Sequence, residues 1–99
     1  MKSIVQQLHK AFESRVRLGI MSALMVNDPM DFNSLKRTLE LTDGNLASHA
    51  AALEKEGYLR VAKSFVGRKP MTRFSLTPSG RRAFHEHLAA LEKLIKDTI

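Results

Sequence analysis

Residues 33–57 read NSLKRTLELTDGNLASHAAALEKEG, and this stretch decides the fold. It holds two amphipathic runs with almost no chain between them. In the first, about 33–41, Leu35 and Leu39 share a helical face at i, i+4, and Asp31 or Asn33 can cap it. In the second, Leu46, Ala50 and Leu53 repeat at i, i+4, i+7, which defines an inward stripe. Thr42 is a good N-cap for this second helix, and Asp43 suits the positive end of its dipole. Gly57 is the residue expected just past its end. Two short helices joined by a tight turn read as a helix-turn-helix.

Downstream, residues 59–76 read LRVAKSFVGRKPMTRFSL and alternate. Leu59 and Val61 point one way, Arg60 and Ala62 the other; Thr72, Phe74 and Leu76 share a face opposite Arg73 and Ser75. This predicts a β-hairpin with one apolar and one basic face, closed by a long loop over 66–71 with Arg68 and Lys69 near its tip. Upstream, Val5, Leu8 and Phe12, then Leu18, Met21, Leu24 and Met25, follow helical spacing over about 4–26. Ser14 can cap a main helix and split off a short leading one, and Asn27-Asp28-Pro29 ends the segment. After the hairpin, Thr77 caps a helix with Pro78 at its first position. That helix runs to about residue 98, with Phe84, Leu88, Leu91 and Ile95 as one apolar stripe and Ala89, Ala90 and Leu94 widening it. The expected fold is mainly α with a small β-hairpin, in the order α-α-α-β-β-α. Residues 1–99 are expected to form a single winged helix-turn-helix domain.

Composition narrows the chemistry. The chain has 99 residues and no cysteine, which excludes disulfides, thiolate metal sites and cysteine nucleophiles. No Gly-rich phosphate loop, GxSxG or paired catalytic carboxylates occur, so no catalytic residue and no cofactor is assigned, and an enzyme is not expected. His85 and His87 stand at i, i+2 on different helix faces, and His9 and His49 are far apart in sequence, so no metal site is expected either. No apolar run approaches the ~20 residues of a membrane span, and the N-terminus lacks a signal-peptide core, so the expected location is the cytoplasm. Sixteen Lys and Arg stand against ten Asp and Glu, a net charge of +6. Between Leu59 and Leu76 lie Arg60, Lys63, Arg68, Lys69 and Arg73 and no acid. A polyanionic partner is indicated, and bases on a hairpin suit double-stranded DNA better than a membrane surface.

The residues also resemble a known family. Leu41-Thr42-Asp43-Gly44-Asn45-Leu46, His49, Leu53-Glu54 and Gly57-Tyr58 are very similar to small bacterial and archaeal winged-helix regulators. The match continues through Phe65–Pro70, Thr72, Leu76-Thr77 and Gly80–Phe84. These are compact relatives of the multiple-antibiotic-resistance regulators. The resemblance implies a homodimeric transcription factor, joined through its terminal helices, about 4–26 and 78–98. It implies a recognition helix in the major groove and a hairpin tip on the minor groove or phosphates. It names no small-molecule effector.

The recognition-helix candidates are Thr42, Asp43, Gly44, Asn45, Ala47, Ser48 and His49. Asn45 can read adenine, Ala47 can touch a thymine methyl, and Ser48 and His49 can donate to bases or phosphates. The run 43–56 contains no Arg and only Lys55, so bidentate contacts to guanine are absent and modest base discrimination is expected. Lys36, Arg37, Lys63, Arg68, Lys69 and Arg73 are the flanking and wing candidates. That thin recognition helix leaves an alternative: a winged-helix protein-interaction module within a larger complex, with no direct DNA reading.

Overall fold

The computed structural model describes residues 3–98. The leading segment is broken into three pieces. A single turn, α1 (Ile4–Gln7), is closed by a capping box between Ser3 and Gln6. A 3-10 turn follows at Lys10–Phe12. Ser14 then starts α2 (Arg15–Val26) by accepting the Arg17 N–H at 3.4 Å, so the expected division at Ser14 is present. The additional break falls at Leu8 and His9, whose backbones are extended. The His9 N–H leaves the helical ladder there and donates to His87 Nδ1 at 3.1 Å.

A short strand, β1 (Met30–Asp31), was not expected from the sequence; two residues are too few to show alternation. Asp31 ends it and caps α3 (Phe32–Leu39), accepting the Ser34 N–H at 3.1 Å and its hydroxyl at 2.6 Å. These bonds from Ser34, the hydroxyl's first, hold the Asp31 carboxyl below its ordinary value. At the other end, the Leu41 N–H donates to Lys36 O and the Glu40 N–H to Arg37 O. This closure requires a left-handed residue, and Glu40 supplies it at φ 52, where glycine is the usual choice. Thr42 follows at once and caps α4 (Asp43–Lys55), accepting the Asn45 N–H at 3.1 Å. Gly57, at φ +82, makes the same kind of closure after α4.

The hairpin corrects one expectation. β2 (Leu59–Val66) and β3 (Lys69–Leu76) pair antiparallel from Leu59↔Leu76 to Val66↔Lys69. No long loop spans 66–71; Gly67 and Arg68 alone make the turn, with Gly67 at φ +64 as such short turns require. Lys69, Pro70 and Met71 belong to the strand. Pro70 is tolerated because β1 pairs only with Arg73 and Phe74, which leaves β3 an edge strand at its start. The sheet order is β1-β3-β2.

Helix α5 (Pro78–Thr98) begins where Thr77 ties it to the hairpin base. The Thr77 N–H donates to Tyr58 O at 3.1 Å, its hydroxyl donates to Gly57 O at 2.6 Å, and its Oγ1 accepts the Gly80 N–H at 2.9 Å. Gly80 sits against Tyr58 so closely that a Cβ would overlap the Tyr58 carbonyl. One core joins Phe12, Ile20, Met21 and Leu24 to Leu35, to Leu46, Ala50 and Leu53, to Leu59, Phe74 and Leu76, and to Ala83 and Phe84. The apolar stripe expected on α5 divides. Ala83, Phe84, His87 and Ala90 are buried, whereas Leu88 and Ile95 are 42% and 63% exposed. A single small core covers one helical face, and those two residues lie on the next.

Candidate nucleic-acid interface

The inward stripe of α4 fixes which residues that helix presents. With Leu46, Ala50 and Leu53 buried, Thr42, Asp43, Gly44, Asn45, Ala47 and Ser48 are exposed. Ala47 and Ala51 face the hairpin across a cleft of about 280 Å³, lined also by Glu54, Lys63 and Thr72. The fold thus sets the thin, small-residue face of α4 beside the basic hairpin.

Lys36 and Asp43 meet across the turn, with Lys36 Nζ donating to Asp43 Oδ1 at 2.7 Å. Asp43 is the one acid in the first turn of α4, and Lys36 neutralises it where it would otherwise repel a phosphate. Arg37 is exposed beside this pair. His49 is half-buried, and its Nδ1 accepts a hydrogen bond from Arg17 Nε at 3.2 Å. An arginine N–H can only donate, so Nδ1 is the acceptor and the ring's own N–H sits on Nε2. The Arg17 contact joins α2 to α4 across 32 residues of sequence, and nothing local in the chain announces it.

On the hairpin, Lys63, Arg68, Lys69 and Arg73 are all exposed, as is Arg60. Arg73 pairs across the strands with Ala62, on the face opposite Lys63. Among the described residues no ion pair engages any of these five cations. Their charge is therefore free for a polyanion. Asp28, expected only as part of the stop after the first helical segment, also holds a tertiary contact. Its Oδ2 accepts from the Leu76 N–H at 3.2 Å and from Arg81 Nη2 at 2.7 Å, so it locks the end of β3 to the start of α5. Among the described residues no group of three or more His, Asp or Glu has the geometry to hold a metal ion.

The profile of winged helix DNA-binding domains matches residues 16–95. The chain belongs to that family. This winged helix is similar to a transcriptional regulator homologue from Pyrococcus horikoshii OT3, at 31% identity and a TM-score of 0.85, with 96% of each chain covered. An uncharacterized protein of Methanocaldococcus jannaschii is 36% identical over 88 residues, which are 89% of this chain and 96% of that one. YusO of Bacillus subtilis shares the fold at 16% identity, with a TM-score of 0.78 over 97% of this chain and 67% of its own. The function that goes with this winged helix is DNA-binding transcriptional regulation. No helix among the described residues is long and apolar enough to cross a membrane.

Proposed function

We propose that this protein is a homodimeric, sequence-specific transcriptional regulator that acts on double-stranded DNA. The recognition helix α4 enters the major groove and the basic wing holds the flanking DNA. The observation that carries this reading is the small-residue face of α4, Ala47 to Glu54, standing across a cleft from Lys63 on a hairpin whose cations make no ion pair among the described residues. Asn45 and Ser48 read base edges, Ala47 contacts a thymine methyl, and His49 donates from Nε2 under the hold of Arg17. Thr42, Asp43 and Gly44 set the helix end against the backbone, with Lys36 and Arg37 beside it. Lys63, Arg68, Lys69 and Arg73 supply the salt-dependent phosphate contacts. Exposed Val5 on α1 and Leu88 and Ile95 on α5 favour a two-fold interface through the terminal helices. Half-sites one helical turn, ~34 Å, apart follow from that symmetry.

The test is binding to duplex DNA across a salt series, for the wild type and for Arg68→Ala/Lys69→Ala. The wild type is expected to lose affinity steeply with salt, and the variant to lose about two phosphate contacts per subunit from its slope. A folded protein that binds no DNA at low salt refutes the DNA reading and leaves the protein-interaction module. Sedimentation of wild type and Leu88→Glu/Ile95→Glu tests the dimer: a wild-type monomer refutes it.

A further inference from the structure

The tip of the hairpin carries a feature that phosphate binding does not use. Residues 62–70 are all exposed, and among them stand Phe65, at 73% exposed, and Val66, at 52%. Strand alternation puts Phe65 on the face of Leu59, Val61 and Lys63. Leu59 is buried, but by Phe65 the hairpin has passed beyond the body of the domain. Its cross-strand partner is Pro70, also exposed. Aromatic pairing among the described residues involves Phe12, Phe32, Phe74 and Phe84 and leaves Phe65 out. A phenyl ring is thus held in water on a two-stranded arm, one cross-strand pair, Val66↔Lys69, from the turn at Gly67 and Arg68. Contiguous exposed apolar groups mark contact sites, and Phe65, Val66 and Pro70 stand together at this tip.

Charge selects the occupant. No Asp or Glu lies between Glu56 and Glu86, so the hairpin that carries the ring bears cations only, while Asp31 and Asp43 line a cleft with Pro70 nearer the body of the domain. With α4 in the major groove, the groove left to the wing is the minor one, about 6 Å wide. Proteins that bind there combine cations with apolar side chains pushed between base steps.

Resting on the reading of the wing as a DNA-binding element, we propose that Phe65 is a wedge. The tip inserts it into the minor groove, partly unstacks one base step and kinks the duplex. Arg68 and Lys69 hold the adjacent phosphates while it does so. Easily unstacked pyrimidine–purine steps would then be preferred beside the major-groove site, which adds specificity to a recognition helix poor in base contacts.

Burying a phenyl ring favours binding by roughly ten- to a hundredfold, and unstacking a step opposes it by a similar factor. The two nearly cancel, so the shape of the DNA is a better readout than affinity. The experiment uses the whole protein and a duplex selected from a random pool, labelled at its ends for energy transfer and carrying 2-aminopurine at each flanking step in turn. The wild type is expected to bend the duplex by about 20° or more and to brighten 2-aminopurine at one step. Phe65→Ala should abolish both signals while its affinity falls by no more than about tenfold and its salt slope, which counts phosphates, persists. Phe65→Leu, still an apolar wedge, should retain the bend.

Equal bending by wild type and Phe65→Ala, with salt-dependent binding intact, overturns the wedge and leaves the DNA-binding reading standing. Absence of DNA binding by the wild type overturns both. A change in sedimentation of DNA-free Phe65→Ala assigns the ring to a protein contact and also overturns the wedge.

Discussion

Replacing Gly80 with alanine tests how the wing is anchored to the last helix. A Cβ at Gly80 would overlap the Tyr58 carbonyl oxygen and lie 2.9 Å from its carbonyl carbon and 3.0 Å from its Cα. These atoms are backbone and cannot swing aside, so the start of α5 must move away from the hairpin base. Two hydrogen bonds span the gap: Thr77 N–H to Tyr58 O at 3.1 Å and Thr77 hydroxyl to Gly57 O at 2.6 Å. Weakening them removes about 1 kcal/mol each, and forcing the extra methyl into packed surroundings adds about 1–3 kcal/mol. The lower end of that sum, about 3 kcal/mol, is already a large part of the roughly 5–15 kcal/mol that holds such a domain folded. For a domain of this size it lowers Tm by about 15–20 °C. Gly44→Ala is the control. Nothing lies within 4 Å of its Cβ position, and Gly44 is inside α4, where alanine is favoured by up to ~1 kcal/mol. Thermal and urea unfolding followed by circular dichroism measures both. A loss below about 1 kcal/mol for Gly80→Ala, or the same sign in both variants, refutes the packing argument.

Glu40→Gly should stabilise the domain by roughly 0.5–1 kcal/mol, because Glu40 sits at φ 52 where only glycine avoids the clash with its own carbonyl; a urea midpoint no higher than wild type contradicts this. Burial, and next the neighbouring His9, push His87 below the ordinary histidine value of 6.5. The unfolded chain then binds the proton more readily, so the stability from His87 is complete above 6.5 and lost as pH falls through its lower folded value. Urea midpoints measured from pH 7.5 down to pH 5 should fall less steeply for His87→Gln than for wild type, and identical slopes count against the assignment.

The buried His87 shows where reading along the chain reaches its limit. On α5 alone it is a polar residue two places from His85, with nothing to distinguish the pair. In the fold it lies between Phe12 and Phe84, with ring centroids 5.3 Å and 6.2 Å away, and accepts the N–H of a residue 78 positions earlier. The same limit hid Arg17 on His49 and Asp28 on Arg81. Each pair is joined by the folding of separate elements, and neither side chain carries a local mark of its partner. β1 escaped for a different reason. Two residues contain no period, and their strand character comes from the β3 edge beside them.

What the sequence determined by itself was the order of elements and the placement of the basic wing. Hydrophobic spacing, N-caps at Ser14, Thr42 and Thr77, and the terminating Gly57 are local facts, set by backbone geometry and helix ends, whereas the choice of Asp31 over Asn33 as the cap of α3 came from the fold. Strand alternation marked the apolar face at the hairpin base, but the expected basic face is not separate: Lys63 shares the face of Leu59 and Val61, and Arg73 lies on the other. The tertiary structure decided how far the hairpin pairing runs, since register depends on contacts between two strands rather than within one. It decided which half of the α5 stripe is buried, because one small core can cover only one helical face. It also brought α4 and the wing to the two sides of one cleft, a relation that exists only once α4 has packed against the sheet.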